Sequence, residues 1–141
     1  MNSAFTIAVH SLVFLASLPD RMASSEEIAN QVFTHPARVR KIMSCLRNEG
    51  YVKTKEGIGG GYIFECEPGA VTLGNIYRSI SCNALKLHWC SNEASETCLV
   101  STHIQDVMNH IFNEAENHFI AYLDHITIES ILHKIKVKQV F

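Results

Sequence analysis

Pro36-Ala-Arg-Val-Arg-Lys-Ile-Met-Ser-Cys-Leu-Arg-Asn-Glu-Gly-Tyr-Val-Lys-Thr-Lys-Glu-Gly-Ile-Gly-Gly-Gly-Tyr62 decides how the chain folds. It reads as a short basic helix, a strand, a glycine turn and a returning strand. Pro36 suits a first helical turn, where a missing N–H costs nothing. Val39, Ile42, Met43 and Leu46 form one apolar stripe. At about 100° per residue, Ala37, Lys41, Ser44 and Asn48 lie opposite, with Arg38 and Arg40 flanking them. Gly50 is the expected helix stop. Tyr51–Thr54 and Tyr62–Phe64 read as strands, and Lys55–Gly61 as the hairpin tip between them. Gly59, Gly60 and Gly61 permit positive φ and close backbone approach to a phosphate or groove wall. This is the layout of a winged helix-turn-helix, a DNA-reading unit.

Working outward, residues 4–18 carry Phe5, Ala8, Val9, Leu12, Leu15 and Ala16 at steps of mostly three and four. That pattern predicts a helix with one buried face, ended by Pro19-Asp20. Ser24-Ser-Glu-Glu27 is a capping box that opens a second helix through Ile28 and Ala29. Thr72 caps a further helix to Ile80, and residues 82–98 read as a loop. A long helix is expected over Ser101–Ile126, with apolar positions from Ile104 to Ile126. At 1.5 Å per residue it would be ~35 Å long. A domain of this size has little core to cover such a face, which implies a homodimer paired along it. Thr127 caps a last short helix, Ile128–His133.

The fold class that follows is mainly α with a small β-hairpin wing. Residues 1–66 form the winged helix-turn-helix domain, and residues 67–141 the sensor loop and dimerisation helices. The 141 residues are 47% hydrophobic and 18% charged, which suits a globular chain with a real core. Net charge is −2, yet residues 34–55 hold six Lys/Arg and one acid, Glu49. That local excess supplies phosphate affinity. The apolar run Ser11–Ser17 is too short to span a membrane and no basic residue precedes it. The chain is therefore expected in the cytoplasm, without a membrane partner and with its five cysteines reduced.

The third helix would enter the major groove of double-stranded DNA, with His35, Ala37, Arg38, Arg40 and Lys41 near base edges. Ser24, Ser25, Thr34 and nearby amides would hold phosphates. Pro36 sits within that surface, and Lys53, Lys55, Gly59, Gly60, Gly61 and Tyr62 form its wing. Two copies would read an inverted-repeat operator. No small-molecule substrate is implied. No nucleophile–base spacing, nucleotide loop or tight metal motif speaks for an enzyme. A winged-helix protein-interaction module without DNA binding is the alternative that Glu56 and the negative total charge favour.

The chain resembles the Rrf2 family of bacterial transcription regulators. The likeness lies in Phe5-Thr-Ile-Ala-Val-His-Ser-Leu12, Ser25-Glu-Glu-Ile-Ala29, His35–Ile42, Leu46-Arg-Asn-Glu-Gly-Tyr-Val52 and Gly57-Ile-Gly-Gly-Gly-Tyr62. It continues through Thr72–Tyr77 and Ile126–Ile128. The resemblance implies a winged-helix dimer with a long dimerisation helix, repressing transcription until a signal alters it. Family wings often carry Arg-Gly-Pro before the glycines, where this chain has Glu56-Gly57-Ile58. A carboxylate is unfavourable near phosphates, so the contact would pass to Lys55 or Lys53.

Some family members hold an iron–sulfur cluster on three closely spaced cysteines before the long helix. Here Cys82, Cys90 and Cys98 are eight residues apart each time, and only Cys98 falls at a family position. The cluster is disfavoured, no other cofactor is implied, and the likeness is to the clusterless subgroup. Two readings stand open for the thiols. Cys90 and Cys98 could be oxidant sensors, with Cys45 on the third helix able to block DNA when modified. Alternatively all five are small apolar fillers, the favoured reading for Cys66. His103, His110, His118 and His125 form a stripe with neighbours ~10–12 Å apart by helix rise, too far for one metal within a chain. They read as polar positions flanking the dimer seam.

Overall fold

The computed structural model describes residues 3–80 and 98–139. Cys82 and Cys90, and the loop expected around them, lie outside the described residues. The first helix, α1 (Ser3–Ser17), starts and ends one residue before its expected bounds. It is buried on more than the one face its spacing implied: Ile7, Ser11 and Val13 join Phe5, Ala8, Leu12 and Leu15 in the interior. Ser11 tolerates this because its hydroxyl donates to the Ile7 carbonyl at 2.7 Å. The cause is tertiary, since other elements pack around α1 on several sides.

A two-residue strand, β1 (Met22–Ala23), follows. Two residues carry no periodicity, so the sequence gives this strand no signal of its own. It exists through its partner: β3 (Gly61–Phe64) lies between β1 and β2 (Val52–Lys55), antiparallel to both. The expected hairpin is thus a three-stranded sheet. Each expected hairpin strand is displaced by one residue at one end or both, because Tyr51 bonds back to Leu46 of the preceding helix while Gly61 pairs with Lys55.

The capping box of α2 (Ser25–Val32) forms as its sequence implies. Ser24 Oγ accepts from the Glu27 amide at 3.1 Å, and Glu27 Oε2 accepts from the Ser24 amide at 3.4 Å. The helix ends at Phe33 in the left-handed region, φ 58° and ψ 48°. The Phe33 and Thr34 amides both donate to the Ala29 carbonyl there. Glycine usually takes such a position; a side chain there costs on the order of 1–2 kcal/mol. α3 (Pro36–Asn48) starts at Pro36 as expected and buries Val39, Ile42, Met43 and Leu46.

α4 (Leu73–Ile80) is capped by Thr72, whose hydroxyl accepts from the Asn75 amide at 3.0 Å. α5 (Leu99–Leu123) begins two residues before its expected start and ends three before its expected end. It stops because residues 126–128 pair with 71–73 instead: Leu73 donates to the Ile126 carbonyl and Ile128 to that of Val71. α6 (Ile128–Gln139) runs six residues beyond His133. Ile131 and Leu132 pack on the core, and Lys136 and Lys138 suit the negative end of its dipole. Phe5, Tyr77 and Phe119 stack edge to face, with centroids 5.5 and 5.3 Å apart, tying α1, α4 and α5 together. No helix among the described residues is long and apolar enough to cross a membrane.

Candidate nucleic-acid interface

Three elements build one surface. The N-terminus of α2, one flank of α3 at Arg47 and the β2–β3 hairpin meet around a cleft of about 320 Å³. Ser24, Ser25 and Glu26 line one wall, Arg47 the α3 side, and Thr54, Lys55, Glu56 and Tyr62 the hairpin side. Arg40 crosses from α3 to donate to Ser25 Oγ at 3.2 Å, with Glu26 4.0 Å away. Exposed pairs of this kind contribute little, so Arg40 can change partner at small cost.

Each residue expected to touch DNA has a distinct place. Ala37, Lys41, Ser44 and Asn48 are exposed along the outer face of α3. Arg38 and Arg40 lie on opposite flanks. Arg38 Nη2 donates to Ser3 Oγ at the start of α1, while Arg40 turns to α2. His35 is the α3 N-cap: its Nδ1 accepts from the Ala37 amide at 3.2 Å, which leaves Nε2 for other partners. Ser24 is a cap as well, so its hydroxyl serves α2 first. Thr34 is half-buried in the turn between α2 and α3, and Pro36 is half-buried at the first position of α3. Lys53 pairs with Glu65 at 3.0 Å, whereas Lys55 borders the cleft.

The glycines answer to the hairpin's own backbone. A Cβ on Gly60 would collide with the Lys55 carbonyl, and one on Gly61 with the Ala23 carbonyl of β1. Two of the three glycines thus close the turn and let β1 reach β3. Ile58 stands fully exposed at the tip (108%).

Arg47, with Glu26, Thr54, Glu56 and Gly57, lines the cleft outside the surface expected from sequence, since helical periodicity puts Arg47 on a flank beside Arg40. The hairpin folding back over α3 is what brings Arg47 to the cleft.

Of the thiols, Cys45 is exposed on the flank of α3 that also carries Arg38. Cys66 is half-buried, its Sγ donating to the Gly50 carbonyl at 3.4 Å, and burial pushes its thiol pKa up. Cys98 is the exposed N-cap of α5. Its sulfur makes no geometric cap bond to the helix, but the Ser101 hydroxyl, then the Ser101 and Val100 amides, draw its thiol below the ordinary range. His103, His110, His118 and His125 are exposed, with His110 3.3 Å from Glu114.

A family model described as Rrf2, iron-dependent transcriptional regulator, matches residues 1–134. The chain belongs to the Rrf2 family. It is similar to YwnA of Bacillus subtilis, with 29% identity across 79% of this chain and 99% of the relative. It is also similar to the HTH-type transcriptional regulator NsrR of the same organism, with 26% identity across 86% and 82%. The fold matches a crystal structure from Lactobacillus plantarum with TM-score 0.84 at 22% identity, covering 96% of this chain and 91% of that one. This Rrf2 protein is therefore a transcription regulator with a winged helix, in a family of regulators rather than enzymes. The iron in the family description calls for a ligand set. Among the described residues, no three His, Cys, Asp or Glu come together. Cys98 is the described member of the Cys82, Cys90, Cys98 series. It is set, exposed, at the start of α5.

Proposed function

We propose that two copies of this chain pair along α5 and present their α3 helices to an inverted-repeat DNA operator, repressing transcription there. Lys41 and Ala37 face the bases, with Arg38, Arg40 and His35 at the helix start. Ser25, Thr34, Lys55 and the backbone of Gly59–Tyr62 hold phosphates, and Arg47 joins them. Lys53 follows when it leaves Glu65. Residues 1–66 read DNA and residues 67–141 pair and sense. The observation that carries the reading is the convergence of the α2 N-terminus, α3 and the hairpin on one surface containing Arg40, Arg47 and Lys55.

The pairing has its own support. Leu123 is the buried residue of α5, while Val107, Ile111 and Tyr122 stand exposed (55%, 48% and 66%). An apolar face of this length is covered by a second copy. A second strand of the reading concerns the signal. Cys98 stands exposed at the head of the pairing helix with its thiol pKa lowered by the Ser101 hydroxyl, and oxidation there would shift α5 and both reading heads. Cys90 and Cys45 are the other candidate thiols.

The test is selection of duplex DNA from a random-sequence library, followed by affinity against salt. A dimer holding ten phosphates loses ~10³–10⁵ in affinity between 50 and 200 mM salt. Absent or salt-independent binding would sink the regulator-by-DNA mechanism. Selected sites without two-fold symmetry would sink the dimer geometry.

A further inference from the structure

Phe33 combines two features that the fold does not require. Its backbone is left-handed, where glycine would sit without cost, and the residue is 91% exposed. Arg21, the other non-glycine residue with positive φ among the described residues, has a local reason for its place. Its side chain donates to the Cys66 carbonyl, and its own carbonyl accepts from the Phe64 amide. At Phe33 the backbone bonds to Ala29 explain the turn but make no demand for a phenyl ring. An aromatic kept in water at a strained position points to a partner outside the chain.

The position says which partner. Phe33 lies in the turn of the helix-turn-helix, two residues before His35, the N-cap of α3. That end of a recognition helix approaches base edges in the major groove. The apolar feature of the major groove is the thymine 5-methyl group, which an aromatic ring can cover. We propose that Phe33 is a specificity residue that packs on a thymine methyl at the outer edge of each half-site. This rests on the DNA reading proposed above and adds to it a base preference that no charged residue supplies.

The probe is the duplex selected by the wild-type protein, made with thymine or with 2′-deoxyuridine at each half-site edge position. Removing one methyl should weaken the wild-type protein about fourfold per half-site, the equivalent of one buried carbon. Phe33→Gly keeps the left-handed turn, so it should fold, bind the thymine duplex more weakly and lose the penalty for deoxyuridine. Thermal melting checks the fold. Equal deoxyuridine penalties in both proteins, or none in the wild type, overturn the proposal while the DNA reading stands. Complete loss of binding by a well-folded Phe33→Gly also overturns it, since one methyl contact is too small for that. If the wild-type protein selects no duplex at all, the proposal falls together with the function beneath it.

Discussion

At Cys98, one hydroxyl and two amides act on one sulfur. The Ser101 hydroxyl is the largest influence, so Ser101→Ala should move the thiol pKa upward. Sulfur is attacked as the thiolate, so alkylation by iodoacetamide at pH 7 should slow in the variant, and the pH midpoint of the rate should rise. Mass spectrometry of Cys98 peptides measures both, with the slower, half-buried Cys66 as internal reference. Gly61 is the opposite kind of residue, defined by what it lacks. Any Cβ there meets backbone atoms of Ala23 and Ser24 rather than a movable side chain. Gly61→Ala should cost ~1–3 kcal/mol, as forced overpacking does. It should also weaken DNA binding by pushing β1 and the start of α2 away from the hairpin. Unchanged urea midpoint and affinity would contradict this account of the glycine.

The elements divide by where their apolar residues point. α2 has eight residues and depends on its cap. Ser24→Ala removes the acceptor for the Glu27 amide and should cost ~1 kcal/mol by urea denaturation. α5 leaves its apolar side in water within one chain. Ile111→Glu places a charge in the middle of that face. It should yield monomers by sedimentation while leaving the monomer fold intact, because Ile111 is not part of the core. Retained dimers would move the pairing surface elsewhere.

At the scale of the molecule, α4 joins the reading unit to the long helix. Arg78 grips Asp124 with two bonds, at 2.8 and 2.6 Å, at the C-terminal end of α5. The guanidinium holds the Asp124 carboxyl below the ordinary carboxylate range. Its folded pKa is therefore lower than its unfolded one. The stabilisation is complete above the unfolded value and is lost as pH falls through the folded value. Arg78→Ala should lower the melting temperature at pH 7, and that difference should shrink as pH falls below the ordinary carboxylate range toward the folded Asp124 value. Arg47→Ala tests the whole surface. Removing one phosphate contact per subunit should flatten the slope of log affinity against log salt by about 0.9 per site. A change in the preferred bases would instead make Arg47 a base reader.

Local signals determined the helices and their caps. The Ser24–Glu27 box, Pro36, Thr72 and Thr127 each mark a start that holds in the fold, because a cap is a contact between near neighbours. The buried stripe of α3 was legible for the same reason, being a repeat within one helix. What needed the tertiary structure was every feature made by residues far apart. β1 exists only beside β3, α5 stops where residues 126–128 pair with 71–73, and Arg47 reaches the cleft because the hairpin folds over it. The glycines show the division within one motif. Sequence determined a glycine turn within Lys55–Gly61, while the structure decided that it closes between Gly57 and Gly60 and that Gly60 and Gly61 make room for the chain's own carbonyls. No local pattern encodes the strand that pairs as Ala23↔Tyr62 and Met22↔Ile63, because a separation of ~40 positions is far outside any helical or strand repeat.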